Sequence, residues 1–184
     1  MRKILKYVLG IVIIAMLLFS IPYMFSKHEY DLTKIEEVKT DENYVDVTYD
    51  KEEKIEDESL LGILTIEKIN LKATVKESST EETLKEYIGH ISETAKYDGN
   101  IGLAAHNRAN KYSYFARINE LEKGDKIVYK TKFYTRTYVV SKKKVIYDTD
   151  WSDLETTKDN RITMITCIIN KPNQRLCVQA IEEK

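Results

Sequence analysis

The chain has 184 residues, 29 Lys and Arg against 30 Asp and Glu for a net charge of -1, and 42% hydrophobic residues. That balance, with no basic run interleaved with aromatics, excludes a nucleic-acid-binding protein, and two cysteines are too few for a disulfide-stapled scaffold. The charge is segregated: residues 1–25 hold three basic and no acidic residues, residues 26–58 hold 5 Lys and 13 acidic residues, and residues 59–184 hold 21 basic and 17 acidic residues.

Residues 1–6 form a basic tail with Arg2, Lys3 and Lys6. Tyr7 to Phe25 is free of charge, and at 1.5 Å per residue it extends roughly 28 Å, the thickness of a bilayer's hydrocarbon core. It predicts a transmembrane anchor, with the basic tail in the cytoplasm and everything after it outside the cell. A cleaved signal peptide would carry a shorter apolar region ending in small residues, whereas this one ends Ile21-Pro-Tyr-Met-Phe25. Residues 26–58 read as an acidic, solvated extracellular stalk without Pro or Gly. Within it Val45, Val47 and Tyr49 alternate and could add a short strand, and His28 abuts the anchor.

From residue 59 onward, 126 residues suffice for one domain, and the pattern is mostly strands. Leu61–Glu67 and Leu71–Val75 are short β-type runs. Ser79 to Glu82 matches a capping box opening a short helix with Leu84, Tyr87 and Ile88, which Gly89 is expected to end in a left-handed cap, leaving His90 a structural role. Asn100–Ala105 is small and apolar, fitting a strand buried on both faces with His106 at its end. Tyr114–Ile118 predicts a helical turn and Lys123-Gly-Asp125 a tight turn, followed by strands at Lys126–Tyr129, Phe133–Val140, Lys144–Tyr147, Arg161–Thr166 and Leu176–Ile181. Seven or eight strands with one or two short helices predict a mainly-β, closed or nearly closed barrel.

Three residues carry chemistry. Cys167 ends one apolar run, Arg175 opens the next, and His106 ends a third. A thiol, an imidazole and a guanidinium are a nucleophile, a proton carrier and an oxyanion partner, the components of an acyl-transfer site. If the segments around Cys167 and Arg175 form a hairpin, Cys177 lies opposite about residue 165 and is a small apolar sheet residue rather than a disulfide partner. Arg175 has a rival reading as a surface ion pair with Glu182 or Glu183.

In order and spacing, Gly62–Ile69, Thr83–Ile91, Gly99–His106, Tyr114–Ile127, Ile165-Thr-Cys167 and Arg175–Val178 resemble the sortases, the membrane-anchored cysteine transpeptidases of Gram-positive bacteria. Glu67 stands where the family commonly has Pro, and Met164 where it has Leu. The short Thr149–Arg161 interval lacks the helical insertion of class B, and the stalk shows no class C lid motif, so the resemblance is to an A- or D-like sortase. It implies a sortase-like β-barrel over residues 59–184, no cofactor, and His106, Cys167 and Arg175 as catalytic residues. The implied partners are surface proteins bearing an LPXTG-type C-terminal sorting signal, cut between Thr and Gly, and an amine acceptor from a peptidoglycan precursor or a pilin. The implied product is a protein fixed covalently at the cell surface.

Two other classes compete. A thiol-disulfide oxidoreductase would use Cys167 with Cys177, but no Cys-x-x-Cys is present. A non-catalytic surface-binding module on the same fold would have no need of Cys, His and Arg together. Asp148, Asp150, Asp153 and Glu155 gather beside Trp151; they read as a solvated charge run, not a calcium loop, so no metal site is expected.

Overall fold

The computed structural model describes residues 59–107 and 111–184. The basic tail, the apolar span 7–25, the stalk, His28 and the Val45–Tyr49 alternation lie outside these residues. Among the described residues no helix is long and apolar enough to cross a membrane.

Eight strands are found among the described residues: β1 (Leu60–Ile66), β2 (Leu71–Lys76), β3 (Ile88–His90), β4 (Asn100–Ala104), β5 (Lys126–Thr131), β6 (Thr135–Tyr147), β7 (Arg161–Ile168) and β8 (Lys171–Glu182). They close into a barrel in the order β1-β2-β3-β4-β7-β8-β6-β5. The β2–β3 and β4–β7 pairs are parallel; the other six are antiparallel. Period-2 alternation sends one face of each strand inward. Leu71, Ala73 and Val75 of β2, Ile101 and Leu103 of β4, Ile162 and Met164 of β7, and Leu176, Val178 and Ala180 of β8 all join one apolar core.

The helical segment differs from expectation. The α-helix, α1, spans only Glu81–Leu84, and its N-cap is Thr80, whose side chain accepts from the Thr83 amide at 3.4 Å, one residue later than the predicted cap. Tyr87 and Ile88 fall outside it, and Gly89 lies within β3 instead of capping a helix. Tertiary packing explains the difference: a Cβ on Gly89 would sit 2.7 Å from the Ser78 carbonyl oxygen and 2.8 Å from Leu84 Cδ2, so glycine is needed here for close approach. The predicted turn at Gly124 is present, with φ of 101°.

A second difference concerns Ser141–Lys143, which reads as a break between two strands. β6 runs through it, pairing Lys142 with Gln179 and Lys143 with Val178 after a register shift between Val140 and Lys142. Each lysine of the stretch finds a partner: Lys142 Nζ lies 3.5 Å from Asp153 Oδ1 and Lys143 Nζ donates to the Asn119 carbonyl at 2.7 Å, while the next residue, Lys144, places its Nζ 2.6 Å from Asp153 Oδ2. Amphipathic side chains of this kind can sit within a strand without interrupting it.

His90 is structural, as its position suggested. It is 1% exposed, its Nδ1 lies 3.0 Å from Glu77 Oε1, and its Nε2 faces the Ala95 carbonyl at 3.1 Å. Partial burial of the Glu77 carboxyl opposes its ionisation, but hydrogen bonds from Lys96, His90 and Ser92 outweigh it and bring the pKa down to about 2. A carboxylate depressed in the folded state adds stability that is complete above its unfolded value of 4.5 and vanishes as pH falls through about 2. Its worth is on the order of 2 to 3 kcal/mol. Urea unfolding of wild type and Glu77→Gln should therefore show a large stability gap near neutrality that narrows through this acidic window; a gap independent of pH would contradict the assignment.

Candidate active site

The barrel's register brings the three sequence-selected residues to one end of one face. β4 and β7 run parallel from Asn100↔Arg161 to Ala104↔Ile165, so His106 and Cys167 each lie two residues past the last shared rung. β7 and β8 run antiparallel, with Cys167 directly opposite Arg175. Residues directly opposite in a ladder project to the same side. Since Met164, Leu176 and Leu103 point into the core, Cys167, Arg175 and His106 belong to the outer face. Cys167 is exposed, and His106 and Arg175 are partly so.

Hydrogen bonds stitch the His106 segment to the Cys167 segment. Thr166 Oγ1 donates to the Ala105 carbonyl at 2.8 Å, the Asn107 side-chain amide donates to the Cys167 carbonyl, and the Phe115 amide donates to the His106 carbonyl at 3.0 Å. Thus the residue on each side of His106 is bonded to Cys167 or its predecessor. Neither Asn107 nor Thr166 stood out by residue type; their only signal was adjacency to His106 and Cys167.

Arg175 sits just after a disruption of the ladder. Ile168 pairs with Lys171 while the preceding Cys167 pairs with Arg175, leaving Pro172, Asn173 and Gln174 as a bulge without β7 partners, although Gln174 still pairs with Tyr147 of β6. Bulges of this sort redirect side chains next to functional sites and accommodate proline. Arg175 Nη1 donates to the Pro172 and Gln174 carbonyls at 2.7 and 2.8 Å, and its Nη2 lies 3.8 Å from Asp148 Oδ2. Glu182 and Glu183 are instead held by Arg136 and Lys126, so the rival pairing of Arg175 with either does not occur.

The β6–β7 connection, residues 148–160, folds over the outer face beside the site. The Asp153 carbonyl accepts from Asn100 Nδ2 at 2.7 Å and Gln179 Nε2 at 3.2 Å, while Thr163 Oγ1 donates to Asn100 Oδ1 at 2.7 Å. One loop carbonyl thereby ties β4 and β8 together. Leu154 packs over Gly102, where an added Cβ would lie 2.8 Å from Leu154 Cδ2 and from Thr94 Cγ2. Between this cover and the three residues, the outer face offers Ala104 and Ile165, apolar and only partly buried. Trp151, within the β6–β7 connection, is 61% exposed.

Cys177 pairs with Ile165, as the hairpin geometry predicted, and is 2% exposed. It lies under the β6–β7 connection and not in the apolar core, its Sγ 3.8 Å from Asp153 Oδ2. Burial, reinforced by the Asp153 charge, pushes its thiol up to about 12. Both cysteines are free. The acidic residues around Trp151 are divided among separate partners: Asp148 toward Arg175, Asp150 onto the Ser152 amide at 3.1 Å, and Asp153 between Lys142 and Lys144. Among the described residues no three His, Cys, Asp or Glu gather as a metal-ligand set.

Known proteins place this geometry. The sortase domain model matches residues 64–183. Sortase A of Bacillus anthracis is 29% identical over 160 residues, covering 85% of this chain and 73% of that protein. Sortase A of Listeria monocytogenes is 30% identical over 127 residues, covering 68% of this chain, which spans about half (54%) of that relative. Among solved structures, Listeria monocytogenes sortase A superposes with a TM-score of 0.61 at 28% identity over 69% of this chain and 89% of that one. A pilus-related sortase C of Group B Streptococcus gives 0.66 at 25% identity over 74% and 78%. With a family match across most of an eight-stranded barrel that pairs Cys167 with Arg175 and sets His106 beside them, the chain belongs to the sortase family of transpeptidases.

Proposed function

We propose that this protein is a cysteine transpeptidase that cuts an LPXTG-type C-terminal sorting signal between Thr and Gly and passes the protein to an amine of a peptidoglycan precursor or a pilin. The observation that carries this reading is the register of β4, β7 and β8, which sets a thiol, an imidazole and a guanidinium side by side at an exposed strand end.

The roles follow from chemistry. The Cys167 thiolate attacks the Thr carbonyl carbon, forming a C–S bond and a tetrahedral oxyanion to which Arg175 donates. Collapse breaks the Thr–Gly C–N bond, and the His106 imidazolium gives its proton to the departing Gly amine. An acceptor amine then attacks the thioester, its proton passes to His106, and the thiolate leaves. The apolar strip Ala104–Ile165, ending beneath Leu154, suits an extended peptide with apolar side chains. Anchorage by residues 7–25 would bring the domain to the membrane face where exported substrates and lipid-linked acceptors arrive.

The test is mass spectrometry of the protein with a panel of sorting peptides and amines. The expected products are a free Gly-containing leaving peptide and a Thr–amine conjugate. Intact peptide throughout the panel, with Cys167 unmodified, would sink the proposal.

A further inference from the structure

We propose that Asn107 is a positioning residue that sets the geometry of Cys167 relative to His106; the inference rests on the transpeptidase reading and adds to it a residue outside the three reacting groups. β4 leaves the ladder after the Ala104↔Ile165 rung, so beyond that rung β7 has no strand donor on its β4 side. An unpaired carbonyl there would leave the end of β7 free to fray. The Asn107 side-chain amide supplies the missing donor to the Cys167 carbonyl itself.

The placement is specific in three respects. Cys167 is the last rung of the β7–β8 ladder before the bulge, so its peptide is weakly held from that side. Asn107 is covalently joined to His106, whose carbonyl is fixed by the Phe115 amide at 3.0 Å. The core-facing Thr166 Oγ1 bond to the Ala105 carbonyl, at 2.8 Å, fixes the rung below. Asn107 is therefore the outermost tie between the two segments, and the tie closest to the sulfur. Its loss frees the Cys167 peptide to rotate without unfolding the barrel. The thiol then drifts from the imidazole, which misaligns attack and separates the thiol from its proton acceptor.

The experiment compares the full chain with Asn107→Ala, Asn107→Asp and Asn107→Gln, reading thermal unfolding, single-turnover acylation by a sorting peptide, and the rate of Cys167 alkylation by iodoacetamide near neutrality. Alkylation needs no sorting peptide, and buried Cys177, with its thiol at about 12, contributes no background near neutrality. Asn107→Ala should unfold within a few degrees of wild type, lower the acylation rate roughly ten- to a hundredfold with KM nearly unchanged, and slow Cys167 alkylation several-fold. Asn107→Gln, which keeps an amide donor, should recover part of the rate. Wild-type acylation and alkylation rates in Asn107→Ala would overturn the proposal. Should that variant fail to fold, Asn107→Asp keeps the shape without the donor, and wild-type acylation there would overturn it equally. If wild type itself cleaves no sorting peptide, the transpeptidase reading fails while the alkylation rates still decide the positioning role.

Discussion

Replacing Cys167 with alanine should abolish both peptide cleavage and amine transfer, whereas Cys177→Ala should keep most of each. The asymmetry follows from two environments on adjacent strands. Cys167 is exposed at a strand end opposite a guanidinium. Cys177 is 2% exposed beneath the β6–β7 connection with its thiol raised to about 12, so at neutral pH almost none of it is thiolate. Without Cys167 no thioester forms, and the expected loss is at least a thousandfold, down to the limit of detection. Loss of the small Cys177 side chain costs about 1 kcal/mol of packing, visible in unfolding but not in turnover. Equal loss of activity in both variants would point to a redox pair instead.

Arg175→Ala should lower the acylation rate by about a hundredfold or more, the equivalent of roughly 3 kcal/mol for removing an oxyanion donor. Stability should change far less. The side chain gives two hydrogen bonds to bulge carbonyls and a long 3.8 Å contact to Asp148, in a position 27% exposed, and partly solvated contacts of this kind are worth about 1 kcal/mol. Those contacts engage Nη1 and orient the rest of the guanidinium, so the fork is held before substrate arrives. Arg175→Lys should rescue little, because a flexible ammonium cannot both hold the two bulge carbonyls and keep a second, fixed donor aimed at the developing oxyanion, as the planar fork does. Acylation rates measured beside thermal unfolding separate the two effects; an unchanged rate would remove Arg175 from the mechanism.

Where periodicity and chemistry agreed, the sequence was readable. The small apolar run before His106, the alternation in β2 and β7, and the turn at Gly124 all reappear in the barrel. Cys177 stands opposite Ile165 as simple hairpin counting required. The misses share a cause, which is that distant contacts overrode local pattern. Gly89 looked like a helix stop but serves a strand packed against Ser78 and Leu84. Ser141–Lys143 looked like a loop because its partners, Asn119, Asp153 and the β8 backbone, are remote in sequence. β8 begins at Lys171 rather than at Leu176, since a proline-containing bulge reads locally as loop. For the site, the three residue identities could be picked out, yet the tie from Asn107 to the Cys167 carbonyl depends on a strand pairing that no short window contains.

The parallel β4–β7 pairing also governs when the site comes into being during folding. Cys167 and Arg175 belong to one hairpin and meet through local contacts, while Ala105 and Thr166, which join across β4 and β7, are 61 positions apart. Non-local, parallel contacts carry the larger loop-closure cost and form late. The imidazole therefore reaches the sulfur only when the barrel closes. In a chain still unfolded the cysteine stands apart from its proton carrier, and the site is assembled by the same event that completes the structure.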